Sequence, residues 1–164
     1  MATIGTACLL LEEAPLGHRS AFRFTAVPIA QAVFEEGPNG RLDTTFRRSE
    51  LSESQLRSRF PNAQLPDHLR VVEEDDGDNR YAVVEAVIPD DKGMYQYLAV
   101  LYDSIAGSGE PVKLAEGRYH QSPFINFRWI KAPGEEYGRS PMMKVLPDVK
   151  TANKVVELIL KNAT

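Results

Sequence analysis

The stretch Tyr137-Gly138-Arg139-Ser140-Pro141-Met142-Met143-Lys144-Val145-Leu146-Pro147-Asp148-Val149-Lys150-Thr151-Ala152-Asn153 decides how this chain is read. Ser140-Pro141 has the form of a helix start. A hydroxyl accepts from the free amides of the first turn, and a proline follows where its missing N–H is not needed. Apolar residues then recur at 142, 145, 146, 149, 152, 156, 159 and 160, the spacing of one helical face. The pattern runs to Thr164 without a glycine or proline stop, as expected of a chain cut from a longer one. Pro147 stands inside it. It removes the amide that would bond the Met143 carbonyl, at a cost of about 3 kcal/mol, so the helix is expected either to kink or to restart there.

Upstream the pattern is that of strands. Residues 3–13 have a continuous apolar centre, and Phe22, Phe24 and Ala26 alternate in a second strand that stops at Pro28. Residues 33–36 and 41–48 flank Gly37-Pro38-Asn39-Gly40, a hairpin signal. Strict alternation puts Leu42, Thr44 and Phe46 on one face, with Asp43, Thr45 and Arg47 on the other. Ser52 and Gln55 have capping-box spacing and open a short helix through Phe60, closed by Pro61 and Pro66. Residues 67–80 are polar and irregular. Residues 81–88 and 95–102 are the clearest strands; both are apolar on both faces, so cover is expected on two sides. Gly107-Ser108-Gly109 marks a turn, and strands are expected at 112–115 and 124–130. The predicted fold class is α+β: mostly antiparallel β-sheet with a short helix near 52–60 and a C-terminal helix. Two parts are expected, a β-rich domain over 1–139 and a helix over 140–164.

Composition narrows the function classes. The 164 residues are enough for one domain with a core. No apolar run reaches the roughly 20 residues of a membrane helix, and no basic-then-apolar leader opens the chain. One cysteine, Cys8, excludes an internal disulfide and a thiolate metal cage, which fits a reducing cytoplasm. A net charge of −4 argues against a protein that grips nucleic acid, though not against a conduit through which DNA slides.

No chemistry-bearing constellation emerges. The acidic run Glu73-Glu74-Asp75-Asp76-Gly77-Asp78 lacks the ligand spacing of a calcium loop and reads as a solvated loop. His18, His68 and His120 have no metal-type spacing and read as surface or structural histidines. Cys8, inside an apolar strand, reads as a small buried hydrophobe. Neither glycine-rich stretch is a phosphate loop, and no Gly-x-Ser-x-Gly elbow exists. No catalytic residue, metal ligand or cofactor is therefore expected, and the chain is read as not an enzyme. On the terminal helix the apolar stripe is expected to dock on the domain's own sheet. Leu158 and Val155 lie outside the stripe, and Lys150, Lys154 and Lys161 form a basic line on a third sector. A helix contacted on more than one side suits a subunit with a neighbour. Lys150, Lys154, Leu158 and Lys161 are the candidate residues facing a neighbouring subunit or a channel.

The residues also carry a resemblance. Tyr137, Gly138, Arg139, Ser140 and Pro141, followed by Leu146-Pro147-Asp148-Val149-Lys150-Thr151-x-Asn153, resemble the end of the wing region in portal proteins, the head-to-tail connectors of short-tailed bacteriophages. Glu35-Glu36-Gly37-Pro38-Asn39-Gly40-Arg41-Leu42-Asp43-Thr44-Thr45-Phe46-Arg47-Arg48 is similar to that family's hairpin. Gln55-Leu56 with Arg59-Phe60, and Ser122-Pro123-Phe124 with Arg128-Trp129, resemble the elements that follow it. Ala152 departs from the leucine frequent in the family. The resemblance implies a fragment, wing-like and ending on a helix directed towards the stem, of a dodecameric ring at one capsid vertex. Such a ring passes double-stranded DNA without sequence specificity during genome packaging and ejection. It meets terminase, capsid or scaffold, and tail adaptor proteins through its full-length chain. The implied location is the virion, with the host cytoplasm during assembly and no membrane. The alternative reading is a stand-alone protein-interaction module of unknown partner.

Overall fold

The structure is a computed structural model, described over residues 4–14, 16–63, 80–102 and 111–162. In chain order the elements are β1 (Thr6–Glu13), β2 (Phe22–Val27), a 3-10 turn (Ile29–Gln31), β3 (Ala32–Glu36) and β4 (Leu42–Leu51). They continue with α1 (Glu53–Arg59), β5 (Tyr81–Pro89), β6 (Tyr95–Tyr102), β7 (Val112–Tyr119), β8 (Phe124–Arg128) and α2 (Pro141–Asn162). The predicted α+β class, largely antiparallel with a short internal and a C-terminal helix, is what forms. The strands make two sheets, one ordered β2-β1-β8 and one ordered β3-β4-β5-β6-β7. The chain divides into two compact units, Cys8–Ile125 and the pair of end segments Met1–Ala7 with Asn126–Thr164. The acidic run, His68 and Gly107-Ser108-Gly109 lie outside the described residues.

In the larger unit, local chemistry sets the turns. Gly37 N–H donates to the Arg41 carbonyl at 2.8 Å and Gly40 N–H to the Gly37 carbonyl at 2.9 Å, with Gly40 at φ +72°. The capping box of α1 closes as its spacing predicts. Ser52 N–H donates to Gln55 Oε1 at 3.0 Å, and Gln55 N–H to Ser52 Oγ at 3.4 Å. The elements then bury apolar side chains in two clusters. Cys8, Leu10, Val27 and Phe124 pack with Ala32, Phe34, Leu42 and Val87, whereas Leu56 and Phe60 pack with Tyr81, Val83, Ala99, Leu101 and Leu114.

Two expectations are corrected here. Strict alternation along β4 fails because Glu36 pairs with Leu42 and Glu35 with Thr44, which leaves Asp43 as an extra residue. Such a bulge moves every later side chain to the opposite face. Thr45, Arg47 and Ser49 therefore turn inward and are buried, while Phe46 turns outward to 36% exposure. The second correction concerns β5 and β6. Their inner residues Val83, Val87, Ala99 and Leu101 are fully covered, yet Ile88 and Leu98 on the outer face stay exposed at 42% and 41%. The cover supplied by α1 falls on the inner face alone.

The inward turn of Arg47 has a partner waiting. The β4–β5 register sets it directly opposite Glu85, itself 1% exposed. Glu85 Oε1 accepts from Arg59 Nη2 and from the Tyr97 hydroxyl, each at 2.9 Å, and Oε2 faces Arg47 Nη1 at 3.5 Å. Arg59 Nη2 also lies 3.4 Å from Glu12 Oε1. A polar cluster thus separates the two apolar ones.

Candidate functional site: the helix joint and the exposed helix

The motif that opened the sequence reading falls in the smaller unit, where it forms the joint from which α2 springs. Ser140 is completely buried, and its Oγ accepts the Met143 N–H at 3.1 Å, the N-cap its identity predicts. Arg139 N–H donates to the Ile130 carbonyl at 2.8 Å as an isolated antiparallel bridge. Arg139 also holds Glu135 through two guanidinium nitrogens, with Nε to Oε2 at 3.0 Å. That contact keeps the Glu135 carboxyl below its ordinary pKa.

The start of the chain completes the joint. Gly138 N–H donates to Thr6 Oγ1 at 2.7 Å, in a buried bond, and Trp129 N–H donates to the Gly5 carbonyl at 2.8 Å. Gly5 sits at φ +82°, in the left-handed region that favours glycine. A Cβ built on Gly5 would lie under 3.0 Å from the Gly138 carbonyl, the Arg139 carbonyl carbon and the Ser140 nitrogen. One on Gly138 would meet the Gly5 carbonyl and the Arg128 Cβ as closely. Here two backbones cross with no room for a side chain on either. Sequence reasoning identified Gly138 but missed Gly5 and Thr6; the only signal was a glycine just before an apolar strand.

Beyond the joint, α2 is a single helix of 22 residues running through Pro147, so it does not restart there. Thr151 Oγ1 donates back to the Pro147 carbonyl at 3.0 Å. The expected docking of the apolar stripe is not met, since none of the helix's residues is buried. Val149 is 42% exposed and Leu160 64%, with Met142, Val145, Leu146, Val156 and Ile159 between them. Leu158 is exposed as well, at 49%. Asp148, Lys150 and Asn153 are exposed too.

The basic line has a different character from the one read in sequence. Glu157 lies between Lys154 and Lys161, with Nζ–Oε distances of 2.9 and 2.7 Å. Hydrogen bonds from Lys161 first and then Lys154 hold its carboxyl below the usual glutamate range. Two of the three lysines thus share one carboxylate, an i+3 and i−4 pairing that the helical period does contain.

The larger unit also has a concave feature. A cavity of about 650 Å³ is lined by residues including Leu10, Glu12, Arg59, Glu85, Tyr97 and Tyr119. Burial first, then the Glu85 carboxylate, pushes the Tyr97 phenol far up, so it keeps its proton and acts as a donor. Arg59 and Glu85 are already joined to each other, which leaves the cavity's central charges committed. Cys8 is buried and its thiol is pushed up to about 11, as an inert core cysteine would be. His18 and His120 are exposed. Among the described residues no group of three or more His, Cys, Asp or Glu is placed to hold a metal ion, and no helix is long and apolar enough to cross a membrane.

Comparison with known proteins decides the family. The profile of bacteriophage head to tail connecting proteins matches residues 1–164, the whole chain. The chain belongs to that family. A search of curated proteins gives no match. As a head-to-tail connecting protein it is a virion component, and the joint at Tyr137, Gly138, Arg139, Ser140 and Pro141 acquires a setting. In this connector a buried, side-chain-free crossing carries a long helix whose apolar residues are left uncovered.

Proposed function

We propose that this connector chain is the wing-like part of a portal ring, with α2 leading towards the stem. The observation that carries the reading is α2 itself. An anchored helix of 22 residues with half-exposed apolar side chains along its length is a surface awaiting cover. The occupant is a neighbouring copy of the chain, which meets the stripe while Lys150, Lys154, Leu158 and Lys161 face that copy or the channel. The full-length ring, a dodecamer, sits at one capsid vertex. It passes double-stranded DNA during packaging and ejection and meets terminase, capsid or scaffold, and tail adaptor proteins; during assembly it resides in the host cytoplasm.

The role is mechanical and not enzymatic. The net charge of −4 supports a conduit, because a strongly basic lining would hold DNA by its phosphates and slow its passage. Negative-stain electron microscopy of the full-length gene product tests the reading. Rings with a central channel are expected; a uniform monomer or dimer overturns it.

A further inference from the structure

We infer that Gly5 and Thr6 are positioning residues for α2: the entry into β1 latches the start of the helix and sets its direction. The two partners of the key bond, Thr6 and Gly138, stand 132 positions apart, so this link is a product of the fold alone. Three backbone hydrogen bonds tie the joint together. Gly138 N–H is held by Thr6 Oγ1, Arg139 N–H by the Ile130 carbonyl, and Trp129 N–H by the Gly5 carbonyl. Only Arg139 and Ser140 separate Gly138 from the first helical residue. Ser140 is fully buried and caps the helix, and Pro141 has its φ fixed by its ring. Little torsional freedom remains between latch and helix.

Packing does not orient α2, because none of its residues is buried. Direction then depends on the joint, and the lever is long. Twenty-two residues at 1.5 Å each span about 33 Å, so a tilt of about 10° at the joint moves the far end by about 6 Å. A sideways displacement of that size is more than half the roughly 8–10 Å that separates packed helices. Gly5 contributes closeness, since its lack of a Cβ and its φ of +82° let the chain lie against residues 138–140. Thr6 contributes the bond. The latch explains the geometry of α2; that it serves assembly rests on the proposed ring.

The test uses the full-length protein with spin labels at Phe127→Cys and Asn162→Cys, both in the smaller unit, diluted among unlabelled copies. Thr6→Val keeps the shape and removes the acceptor, Thr6→Ser keeps the acceptor, and Gly5→Ala adds the Cβ. Hydrogen exchange at the amides of Val83, Ala99 and Leu101 monitors the fold of the larger unit. The expected result is a 127–162 distance distribution that shifts or broadens by several ångströms in Thr6→Val and Gly5→Ala. Thr6→Ser should match the unchanged protein, and core protection should be preserved throughout. A sharp, unshifted distance in both Thr6→Val and Gly5→Ala overturns the latch. Rings that persist despite a shifted distance uphold the latch and instead refute the reading of α2 as an assembly surface.

Discussion

Replacing Glu85 by leucine removes the carboxylate around which Arg47, Arg59 and Tyr97 converge. The cost is set mainly by what Arg47 loses. Arg47 is 8% exposed, its Nε has no hydrogen-bond partner among the described residues, and its Nη1 has Glu85 Oε2 at 3.5 Å. Without Glu85 this buried cation has no counter-charge, a situation that costs about 3–5 kcal/mol. Arg59 suffers less: its side chain is 25% exposed, and Glu12 remains at 3.4 Å. With a urea slope of roughly 1–2 kcal/mol per molar, the midpoint of the larger unit should fall by about 2 M or more. The double change Arg47→Met with Glu85→Leu removes both charges and should restore stability to within about 1 kcal/mol of the original. Far-UV circular dichroism is the appropriate probe, because the single tryptophan, Trp129, belongs to the smaller unit. A loss below about 1 kcal/mol for Glu85→Leu would refute the assignment of a strong buried pair. So would a double variant as unstable as the sum of its singles.

Ser140→Ala should loosen the first turn of α2 by about 1 kcal/mol, seen as faster hydrogen exchange at Met143, with the larger unit unchanged. Cys8 ionises near 9 in the unfolded chain but only at about 11 when folded, since burial disfavours the thiolate more than Arg47 favours it. The folded state therefore keeps a proton that the unfolded state loses, and stability should fall by roughly 2–3 kcal/mol between those pH values. Cys8→Ala should flatten this alkaline limb in denaturation curves; an unaltered limb would count against the burial argument. Leu146→Glu with Val149→Glu should abolish ring assembly in electron micrographs while the melting of the isolated chain stays put, because both side chains are already exposed. Rings formed by that double variant would remove the stripe from the interface.

Much of the fold was legible because its signals are local. The capping box at Ser52 and Gln55, the hairpin glycines and the N-cap at Ser140 each act within four residues, and each forms as its spacing predicts. The failures come from terms that no window contains. The bulge at Asp43 has no compositional mark, and it alone decides whether Phe46 or Arg47 faces the core. The crossing of Gly5 over Gly138 joins the two ends of the chain, so neither glycine announces the other. Glu157 was within reach, since its positions relative to Lys154 and Lys161 are ordinary helical pairings, but the lysines drew the reading past it. The exposed stripe of α2 could not be inferred either. Apolar periodicity says that a face wants cover, and is silent on which molecule supplies it.

The extra residue in β4 is the place where the larger unit can absorb a miscount. Leu42 stays opposite Glu36 and Thr45 opposite Phe34, with Asp43 taking up the difference between the turn and the later strand. Loss of Asp43 would close the ladder without moving any later pair, since Glu36–Leu42, Glu35–Thr44 and Phe34–Thr45 would then follow in regular order and Arg47 would still face Glu85. A residue inserted beyond Thr45, by contrast, falls in continuous pairing with β5 and would turn the side chains after it to the opposite face. Changes of length should therefore be absorbed at Asp43 and resisted within Thr45–Leu51.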